Sequence, residues 1–417
     1  MKNNKITLSI LREARIDENR TPFSPSQISN LLNKFSNLKI IVQPSKRRCF
    51  KNEDYLKAGA HITDDLSSAD IIFGVKEVKL STLIKDKTYL FFSHTSKVRQ
   101  YIGQIIEDKA IIYKKELLKE VIKKNITLID YENVRNISGE GYRYLGFGRF
   151  AGIIGTYNTL NLYLKLYNQQ PLPRAFEINN YEEIKKQISK QNFNKLKILL
   201  TGSGRASKGA IEMLKHANIR HVSINDYLNK KYDEAIFSNI SAKKHVERND
   251  GKASSYQDFI LNPHEYNYKI KNYLFDTDMF IACHYWDPKF PKLFSQKEIS
   301  EFKNLKIIGD VTCDINGSVP TTIRSTSIAK PYYSINTDSM KEIELGNKGI
   351  AVMAVDNLPS ELPRDASEEF GSSVISEILP YLIDQDDGRI NRATTASKGK
   401  LCPLYSYLEN FIHSSDS

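Results

Sequence analysis

Cysteine is scarce in this sequence, and its distribution limits the classes of protein to which the chain can belong. The 417 residues include four cysteines, which lie far apart at Cys49, Cys283, Cys313 and Cys402. No CxxC or HxxxH spacing is present, so we predict neither a disulfide framework nor a structural zinc site. Sparse cysteine is typical of a reducing compartment, and we predict a cytoplasmic protein with no bound metal.

Long apolar runs are absent as well. No run approaches the ~20 residues that a membrane-spanning helix requires, and the first residues lack the unbroken apolar core of a signal peptide. Hydrophobic residues nonetheless make up 40% of the chain, as in ordinary folded proteins. At ~150 residues per domain, the length predicts two or three domains with cores of their own. We therefore predict a folded protein without a membrane partner.

Basic residues are in moderate excess, with 60 Lys and Arg against 49 Asp and Glu and a net charge of +11. They are spread along the chain in short runs mixed with apolar residues. This pattern favours a solvated lysine-rich surface and no nucleic-acid partner. A polyanionic partner is the alternative.

Short apolar segments alternate with helical patterns in the first third of the chain. Ser24 and Gln27 form a capping box with Pro25 at the first helical position, which predicts the start of a helix. Strands that are buried on both faces of a parallel sheet consist of such short apolar runs. We therefore predict an α/β domain with a parallel sheet, whose strands lie at residues 6–11, 38–42, 70–75, 87–92 and 126–129.

A second α/β series follows a predicted helix at residues 148–167. Small residues form a stripe along that helix and indicate close packing against a neighbour, with direct contact to a ligand as the alternative. The stripe consists of Gly148, Ala151, Gly152 and Gly155. Residues 236–275 are polar, and we interpret them as a peripheral insertion. Further strands are predicted at 196–201, 221–225, 278–283, 305–309 and 350–355.

Two glycines link a strand to a helix at the start of this second series. Gly202 and Gly204 would let the backbone approach a pyrophosphate, whose charge would meet the helix N-terminus. Asp226 follows about 20 residues later, where an acidic residue binds the ribose hydroxyls of NAD. This arrangement predicts a dinucleotide site, with an ordinary strand–helix turn as the alternative. Lys230 and Lys231 could meet a 2′-phosphate, so NADP stays open.

Polar side chains follow three strands of the first series at the point where each strand ends. Lys76 follows one strand, His94 the next, and Asp130 and Glu132 a third. The carboxyl ends of parallel strands meet at one edge of the sheet, where ligands bind. A lysine, a histidine and a carboxylate together can transfer protons near neutral pH, although each alone is also compatible with a surface charge or a structural role. Candidate carboxylate-binding arginines are Arg12, Arg15, Arg20 and Arg143.

Seven segments resemble one group of enzymes in their order and spacing. The group comprises the lysine–ketoglutarate reductase half of aminoadipic semialdehyde synthase and the fungal lysine-forming saccharopine dehydrogenases, within the alanine dehydrogenase/transhydrogenase superfamily. The resemblance covers nearly the whole chain. The segments are QPSKRRCFKNEDYLKAGA (43–60), GVKEV (74–78), KTYLFFSHTSK (87–97), LIDYE (128–132), GFGRFAG (146–152), LLTGSGRASKGA (199–210) and VDNLPSELPRDASEEFG (355–371).

The resemblance implies two Rossmann-like domains with parallel doubly wound sheets and an active site in the cleft between them. On that pattern we predict a substrate and catalytic domain at residues 1–147 plus 330–417 and a dinucleotide-binding domain at residues 148–329. The implied reaction is the reversible conversion of saccharopine, NAD(P)⁺ and water to lysine, 2-oxoglutarate and NAD(P)H. These small molecules are the predicted partners, and the oligomeric state stays open.

The resemblance also implies roles for individual residues. Lys76 matches the general base of the family, and His94 matches its second acid–base group. Arg99 stands where both relatives have a substrate-facing glutamine, and we include it among the substrate-binding residues. The other matching substrate positions are Arg20, Lys97, Glu132 and Arg143. The predicted cofactor-binding positions are Gly202, Gly204, Arg205, Asp226, Tyr285 and Asp314.

Two other interpretations stay open. Because of Arg99, the chain could be another amino-acid or opine dehydrogenase resembling alanine dehydrogenase, although the segments SHTSK and DNLPSELP fit the saccharopine group better. A non-catalytic NAD-binding regulator is the third hypothesis. The presence of both Lys76 and His94 argues against it.

Overall fold

The computed structural model describes residues 5–101, 108–136, 143–241, 245–253 and 255–413, without the side chains of residues 99–101. The chain divides into two compact units. Unit 1 consists of Met1–Gly146 and Pro363–Ser417, and unit 2 consists of Phe147–Leu362. Each unit contains an eight-stranded sheet together with helices, so the predicted α/β class is confirmed.

Short strands form both sheets, as the short apolar runs predict. Unit 1 begins with β1 (Ile6–Ile10), β2 (Leu38–Val42), β3 (His61–Ile62), β4 (Ile71–Phe73), β5 (Thr88–Phe91) and β6 (Thr127–Asp130). Unit 2 contains β7 (Lys197–Thr201), β8 (Arg220–His221), β9 (Ile236–Ile240), β10 (Val246–Arg248), β11 (Tyr266–Tyr268), β12 (Met279–Ala282), β13 (Ile307–Asp310), β14 (Tyr332–Ile335), β15 (Glu342–Ile343) and β16 (Ile350–Met353). The chain then returns to unit 1 with β17 (Thr394–Ser397) and β18 (Lys400–Leu401).

Helices connect most of these strands. Those of unit 1 before the crossing are α1 (Pro25–Lys34), α2 (Asn52–Lys57) and α3 (Lys109–Lys123). Unit 2 contains α4 (Gly148–Leu166), α5 (Tyr181–Ile188), α6 (Arg205–His216), α7 (Ile224–Asn229), α8 (Tyr256–Leu261), α9 (Lys271–Leu274) and α10 (Gln296–Ile299). The last helices are α11 (Pro363–Glu377), α12 (Leu379–Ile383), α13 (Arg389–Ala393) and α14 (Glu409–His413). Within the described ranges, no helix is both long enough and apolar enough to cross a bilayer.

The sheet of unit 1 has the strand order β18-β17-β6-β5-β4-β1-β2-β3. β1 to β6 run parallel, and β17 pairs antiparallel with β6. Apolar side chains of the strands, such as Ile41 and Phe91, pack with Leu117 of α3 in a buried core. The carboxyl ends of β4, β5 and β6 therefore lie side by side at one edge of the sheet.

The sheet of unit 2 has the strand order β15-β14-β16-β13-β12-β7-β9-β8. Six of its strands run parallel, and β14 and β15 are antiparallel additions. Leu199, Phe280 and Val352 lie in its core. β7 runs parallel between β12 and β9, and the glycine loop that follows it lies at the carboxyl edge of this sheet.

Two features of unit 2 differ from the predictions. β14, β15 and β16 belong to this sheet, so residues 330–362 do not lie with the first domain, and the chain returns to unit 1 at Pro363. The physical reason is that β16 is apolar and becomes buried by pairing with both β13 and β14. The predicted peripheral insertion is also wrong in part, because β9 lies inside it and pairs with β7 along five residues.

The strand predicted at residues 221–225 is much shorter than expected. It is reduced to β8, and α7 begins at Ile224. The Ser223 hydroxyl caps this helix by accepting a hydrogen bond from the Asp226 backbone N–H at 3.1 Å. Asp226 therefore lies in the first turn of a short helix rather than at the end of a strand.

Small residues bring α4 and α6 into contact, as the stripe of small residues predicts. A Cβ atom at Gly152 would lie 1.8 Å from the Ala206 carbonyl oxygen. A Cβ atom at Gly209 would lie 2.0 Å from the Arg149 carbonyl oxygen. The two helices thus approach at backbone distance, and Gly209 provides the close packing of the helix that follows the glycine loop.

Candidate active site

Three polar residues of unit 1 follow neighbouring strands of its sheet. Phe73 at the end of β4 pairs with Leu90 of β5, and Phe91 of β5 pairs with Asp130 at the end of β6. Lys76, His94 and Glu132 each follow one of these strands within a few residues. They therefore lie at adjacent strand ends along one edge of the sheet.

Glu132 is the centre of a charged cluster. One of its oxygens lies 2.8 Å from His94 Nδ1 and the other 2.8 Å from Lys97 Nζ, and Arg143 also forms an ion pair with it. The Glu132 side chain is only 5% exposed. Burial disfavours its charge, but the bonds from His94 and Lys97 outweigh burial and hold the pKa of Glu132 below its usual range.

The His94 ring is held from two sides. Its backbone has a φ of +52°, a left-handed conformation that histidine adopts more readily than most residues. The ring stacks on Phe92 with centroids 6.1 Å apart, and its Nδ1 meets Glu132 at 2.8 Å. Nε2 is therefore the nitrogen that can exchange a proton with a ligand.

Lys76 is half-buried at the end of β4. Burial lowers the pKa of its ammonium group, and the positive charge of Arg20 lowers it further, while Glu77 and Glu18 act in the opposite direction. A lysine with a lowered pKa is neutral at a lower pH than an exposed one. It can then act as a base.

Arg20 forms an ion pair that the sequence did not predict. Its Nε and NH2 atoms lie 2.7 and 2.5 Å from the two oxygens of Glu18, and both side chains are buried. Glu18 and Glu13, which follow β1, are acidic residues that the sequence reasoning missed. The sequence pattern that could have revealed them is the presence of two glutamates among three arginines directly after β1.

In unit 2 the glycine loop fits a dinucleotide pyrophosphate. Gly202 has a φ of +100°, and a Cβ atom there would lie 2.5 Å from the Cys283 carbonyl oxygen. A Cβ atom at Gly204 would meet nothing within 4 Å, and α6 begins at the next residue, Arg205. Open space in front of a helix N-terminus is what an anionic pyrophosphate requires.

Hydrogen bonds outside the glycine motif hold this loop. The Gly202 carbonyl oxygen accepts bonds from the Ser207 hydroxyl at 2.9 Å and from Asn239 Nδ2 at 3.0 Å. His284 follows β12, and its ring nitrogens lie 2.8 Å from Thr201 Oγ1 and 2.9 Å from Ser318 Oγ. Burial lowers the pKa of His284 to about 3. The His284 ring is therefore neutral, and it links Thr201 at the end of β7 to Ser318. This role depends on tertiary contacts that the sequence alone does not reveal.

The other predicted cofactor residues lie on loops and helix starts of unit 2. Asp226 forms an ion pair with Lys230 at 2.9 Å, so the carboxylate that would favour NAD and the amine that could meet a 2′-phosphate neutralise each other. Tyr285 follows β12 and is 70% exposed. Asp314 follows β13, and its carbonyl oxygen accepts the Gly317 N–H at 2.8 Å.

Two further predictions concern Arg99 and metal binding. The Arg99 side chain lies outside the described residues, and its substrate role stays a prediction. Among the side chains that are described, no group of three or more His, Cys, Asp or Glu residues could hold a metal ion.

Substitutions of two glycines to alanine should separate folding from cofactor binding. Gly209→Ala would place a methyl group against the α4 backbone, and overpacking of this kind costs roughly 1–3 kcal/mol. We expect a lower melting temperature for Gly209→Ala. Gly204→Ala should keep the wild-type melting temperature but weaken NADH binding at least tenfold, as measured by fluorescence titration. Equal effects of both substitutions on folding would contradict this assignment.

Two family models match this chain. The N-terminal domain model of alanine dehydrogenase/PNT matches residues 9–153, and the corresponding C-terminal domain model matches residues 189–402. The chain belongs to the alanine dehydrogenase/PNT family. The family resemblance inferred from the sequence motifs is therefore confirmed.

Curated relatives of this family member have names from lysine metabolism. It is 29% identical to alpha-aminoadipic semialdehyde synthase of Arabidopsis thaliana, over 94% of the chain and 40% of the relative. It is 27% identical to the Bos taurus enzyme of that name, over 98% of the chain and 48% of the relative. The chain thus spans less than half of these relatives. It is also 27% identical to saccharopine dehydrogenase [NAD(+), L-lysine-forming] of Candida glabrata, over 90% of the chain and 91% of the relative.

Solved structures share the fold. L-alanine dehydrogenase superposes with a TM-score of 0.61 at 15% identity, over 97% of this chain and 99% of that one. The transhydrogenase from Sinorhizobium meliloti superposes with a TM-score of 0.58 at 13% identity, over 95% and 99%. At these identities the likeness extends to the fold alone.

Proposed function

We propose that this protein is an NAD-dependent oxidoreductase that converts saccharopine and water to lysine and 2-oxoglutarate, reversibly. The observation that carries the proposal is the pair of proton-transfer groups at adjacent strand ends of unit 1. One is Lys76 with its lowered pKa, and the other is His94 anchored on Glu132. The names of the relatives with 91% coverage supply the substrate class.

The proposed reaction breaks one C–H and one C–N bond. Oxidation of the secondary amine carbon of the glutarate moiety removes a hydride and the amine proton and leaves an imine. Water adds to the imine carbon, and the resulting carbinolamine expels lysine as 2-oxoglutarate forms. The oxidant would be NAD⁺, which accepts two electrons as a hydride. One NADH and one proton are released for each saccharopine consumed.

Lys76 and His94 divide the proton transfers. Neutral Lys76 accepts the proton of the secondary amine, for which its lowered pKa prepares it. His94 exchanges protons through Nε2, first taking one from the attacking water and then returning one to the departing amine. Glu132 stabilises the imidazolium that forms between these steps, because its carboxylate lies 2.8 Å from Nδ1.

The charges of unit 1 suit a substrate with several carboxylates. Saccharopine has three carboxylates, and arginine and lysine are the residues that bind them best. The cationic side chains of Lys97 and Arg143 both form ion pairs with Glu132, and they are 57% and 42% exposed. They can therefore reach a carboxylate while remaining attached to the cluster.

The first experiment follows NADH absorbance with the purified protein. NADH or NADPH is mixed with 2-oxoglutarate and lysine, and in parallel with pyruvate and ammonia. Oxidation that depends on lysine supports the proposal, and the preferred cofactor reports the role of Asp226. Oxidation with pyruvate and ammonia alone would instead make the protein an amino-acid dehydrogenase. NADH binding without any turnover would favour a regulator.

Replacing Arg20 should shift the pH profile in a defined direction. Lysine formation requires neutral Lys76, so kcat/KM should rise with pH as this group loses its proton. Arg20→Gln removes a positive charge that lowers the pKa of Lys76, so the rising limb should move to higher pH by about one unit.

The matched control is Arg324→Gln, because Arg324 is an exposed arginine of unit 2 that pairs with Glu342. Its profile should coincide with that of the wild type. A limb that moves to lower pH in Arg20→Gln would refute the assignment of the limb to Lys76.

A further inference from the structure

Glu13 is a buried carboxylate that the proposed reaction does not use. It follows β1, is 8% exposed, and contacts the segment that carries Lys76. The Val75 N–H donates to one Glu13 oxygen at 2.7 Å, and the Lys76 N–H donates to the other at 2.9 Å. A single side chain thus binds two consecutive backbone donors.

These two hydrogen bonds lie just beyond the end of the backbone pairing between β1 and β4. β1 and β4 pair from Leu8 to Ile10, and the Leu11 N–H still donates to the Phe73 carbonyl oxygen at 3.0 Å. Beyond that point the side chain of Glu13 supplies the acceptors that the β1 backbone no longer provides. On the opposite side, the Phe92 N–H donates to the Val75 carbonyl oxygen at 3.1 Å.

We propose that Glu13 is a positioning residue that fixes the backbone of Lys76 and, through it, the location of the Lys76 ammonium group. The inference rests on the proposed function for its catalytic consequence but not for the contact itself. Glu13 is held in turn by Arg47, whose NH2 donates to the Glu13 carbonyl oxygen at 3.0 Å. We call Glu13 with its hydrogen bonds to Val75, Lys76 and Arg47 the clamp. The clamp connects the loop after β2, the end of β1 and the end of β4.

Several ionisable groups surround the Glu13 carboxyl group. Burial raises its pKa to about 8, and the charge of Glu18 contributes to this shift. A protonated Glu13 carboxyl group has only one carbonyl oxygen that can accept a backbone hydrogen bond. Both the Val75 and the Lys76 N–H groups are therefore bound only as the pH rises through about 8 and Glu13 ionises. The groups that face it are Glu18 and Arg20 on its own segment, Arg48 from the loop before α2, Lys76 after β4 and Tyr131 after β6.

Glu13→Gln tests the clamp because glutamine retains one acceptor oxygen and turns an amide N–H₂ toward the other backbone donor. Above about pH 8, where Glu13 of the wild type is ionised, we expect kcat to fall roughly tenfold to a hundredfold, since small misplacements of a catalytic group have effects of this size. The KM for NADH should not change. In the wild type kcat should rise as Glu13 loses its proton near pH 8, and in Glu13→Gln this rise should be absent. Glu13→Asp keeps the charge but shortens the reach, so an intermediate loss is expected.

The matched control is Asp70→Asn. Asp70 accepts one β1 backbone N–H, that of Thr7 at 2.8 Å, at the opposite end of the same strand pair. This variant should keep the wild-type kcat. If Glu13→Gln keeps the wild-type kcat as well, or if Glu13→Asp behaves like the wild type, Glu13 does not position Lys76.

A second readout does not depend on turnover. Limited acetylation above about pH 8, where Glu13 is ionised, followed by mass spectrometry, gives the reactivity of Lys76 relative to the exposed Lys252. This ratio should change several-fold in Glu13→Gln, and the substitution should cause no further loss of activity in a Lys76→Met background. A changed ratio together with full activity of Lys76→Met would refute the proposed function but keep the clamp. An unchanged ratio would refute the clamp.

Discussion

Lys76→Met is expected to lower kcat for lysine formation about a thousandfold, because general acid–base groups contribute factors of 10² to 10⁴. Methionine keeps the length and apolar stem of the side chain but cannot accept a proton. Lys76 is half-buried, and its charged form is disfavoured by burial, so removal of the charge should leave the melting temperature nearly unchanged. Steady-state kinetics and thermal unfolding of the same preparation measure both quantities.

The matched control for this prediction is Lys79→Met. Lys79 is exposed and lies three residues further along the same segment. The control should retain wild-type kcat and melting temperature. A Lys76→Met enzyme with more than a tenth of the wild-type kcat would show that another group accepts the proton.

Glu132→Gln is expected to lower kcat about a hundredfold, because it removes the carboxylate that orients His94. Glutamine has nearly the same size, but it leaves His94, Lys97 and Arg143 without their shared anion. The pKa of Glu132 is held below its usual range in the folded protein. The charge therefore stabilises the fold above the pKa of an unfolded glutamate, and this contribution is lost as the pH falls. The variant should lose stability at neutral pH and approach the wild type in acid.

Glu116→Gln provides the control for the loss of a glutamate charge in unit 1. Glu116 pairs with Lys119 at 2.8 Å on the surface of α3, and exposed pairs of this kind contribute at most ~1 kcal/mol. Its kcat should equal that of the wild type. An equal stability deficit of Glu132→Gln at acid and neutral pH would contradict the proposed charge state.

Local sequence signals predicted most strands, and with them the placement of Lys76, His94 and Glu132 after three neighbouring strands. β2 has the predicted limits, and Ser24 caps α1 as its box predicts. β9 was missed because Ser238 and Asn239 interrupt its apolar pattern. In the structure both side chains are satisfied by tertiary hydrogen bonds, from Ser238 to the Val222 carbonyl oxygen and from Asn239 to Gly202.

The buried acids show why the site could be predicted only in part. Lys76, His94 and Glu132 follow apolar strands directly, so their placement follows from the sheet. Glu13 and Glu18 lie among arginines, and such a segment is typical of a solvated surface. Their burial results from the pairing of distant segments, which sets the surroundings of a side chain without leaving a local pattern.

The crossing of the chain between the units has a consequence for the order of folding during synthesis. Unit 2 is one continuous stretch, Phe147–Leu362, whereas unit 1 needs both Met1–Gly146 and Pro363–Ser417. On a ribosome, β6 would emerge long before its partner β17 and would present an unpaired edge in the meantime. Unit 2 can therefore reach its native state first. The strand ends that carry Lys76, His94 and Glu132 belong to unit 1, which is completed only after unit 2 has been synthesised.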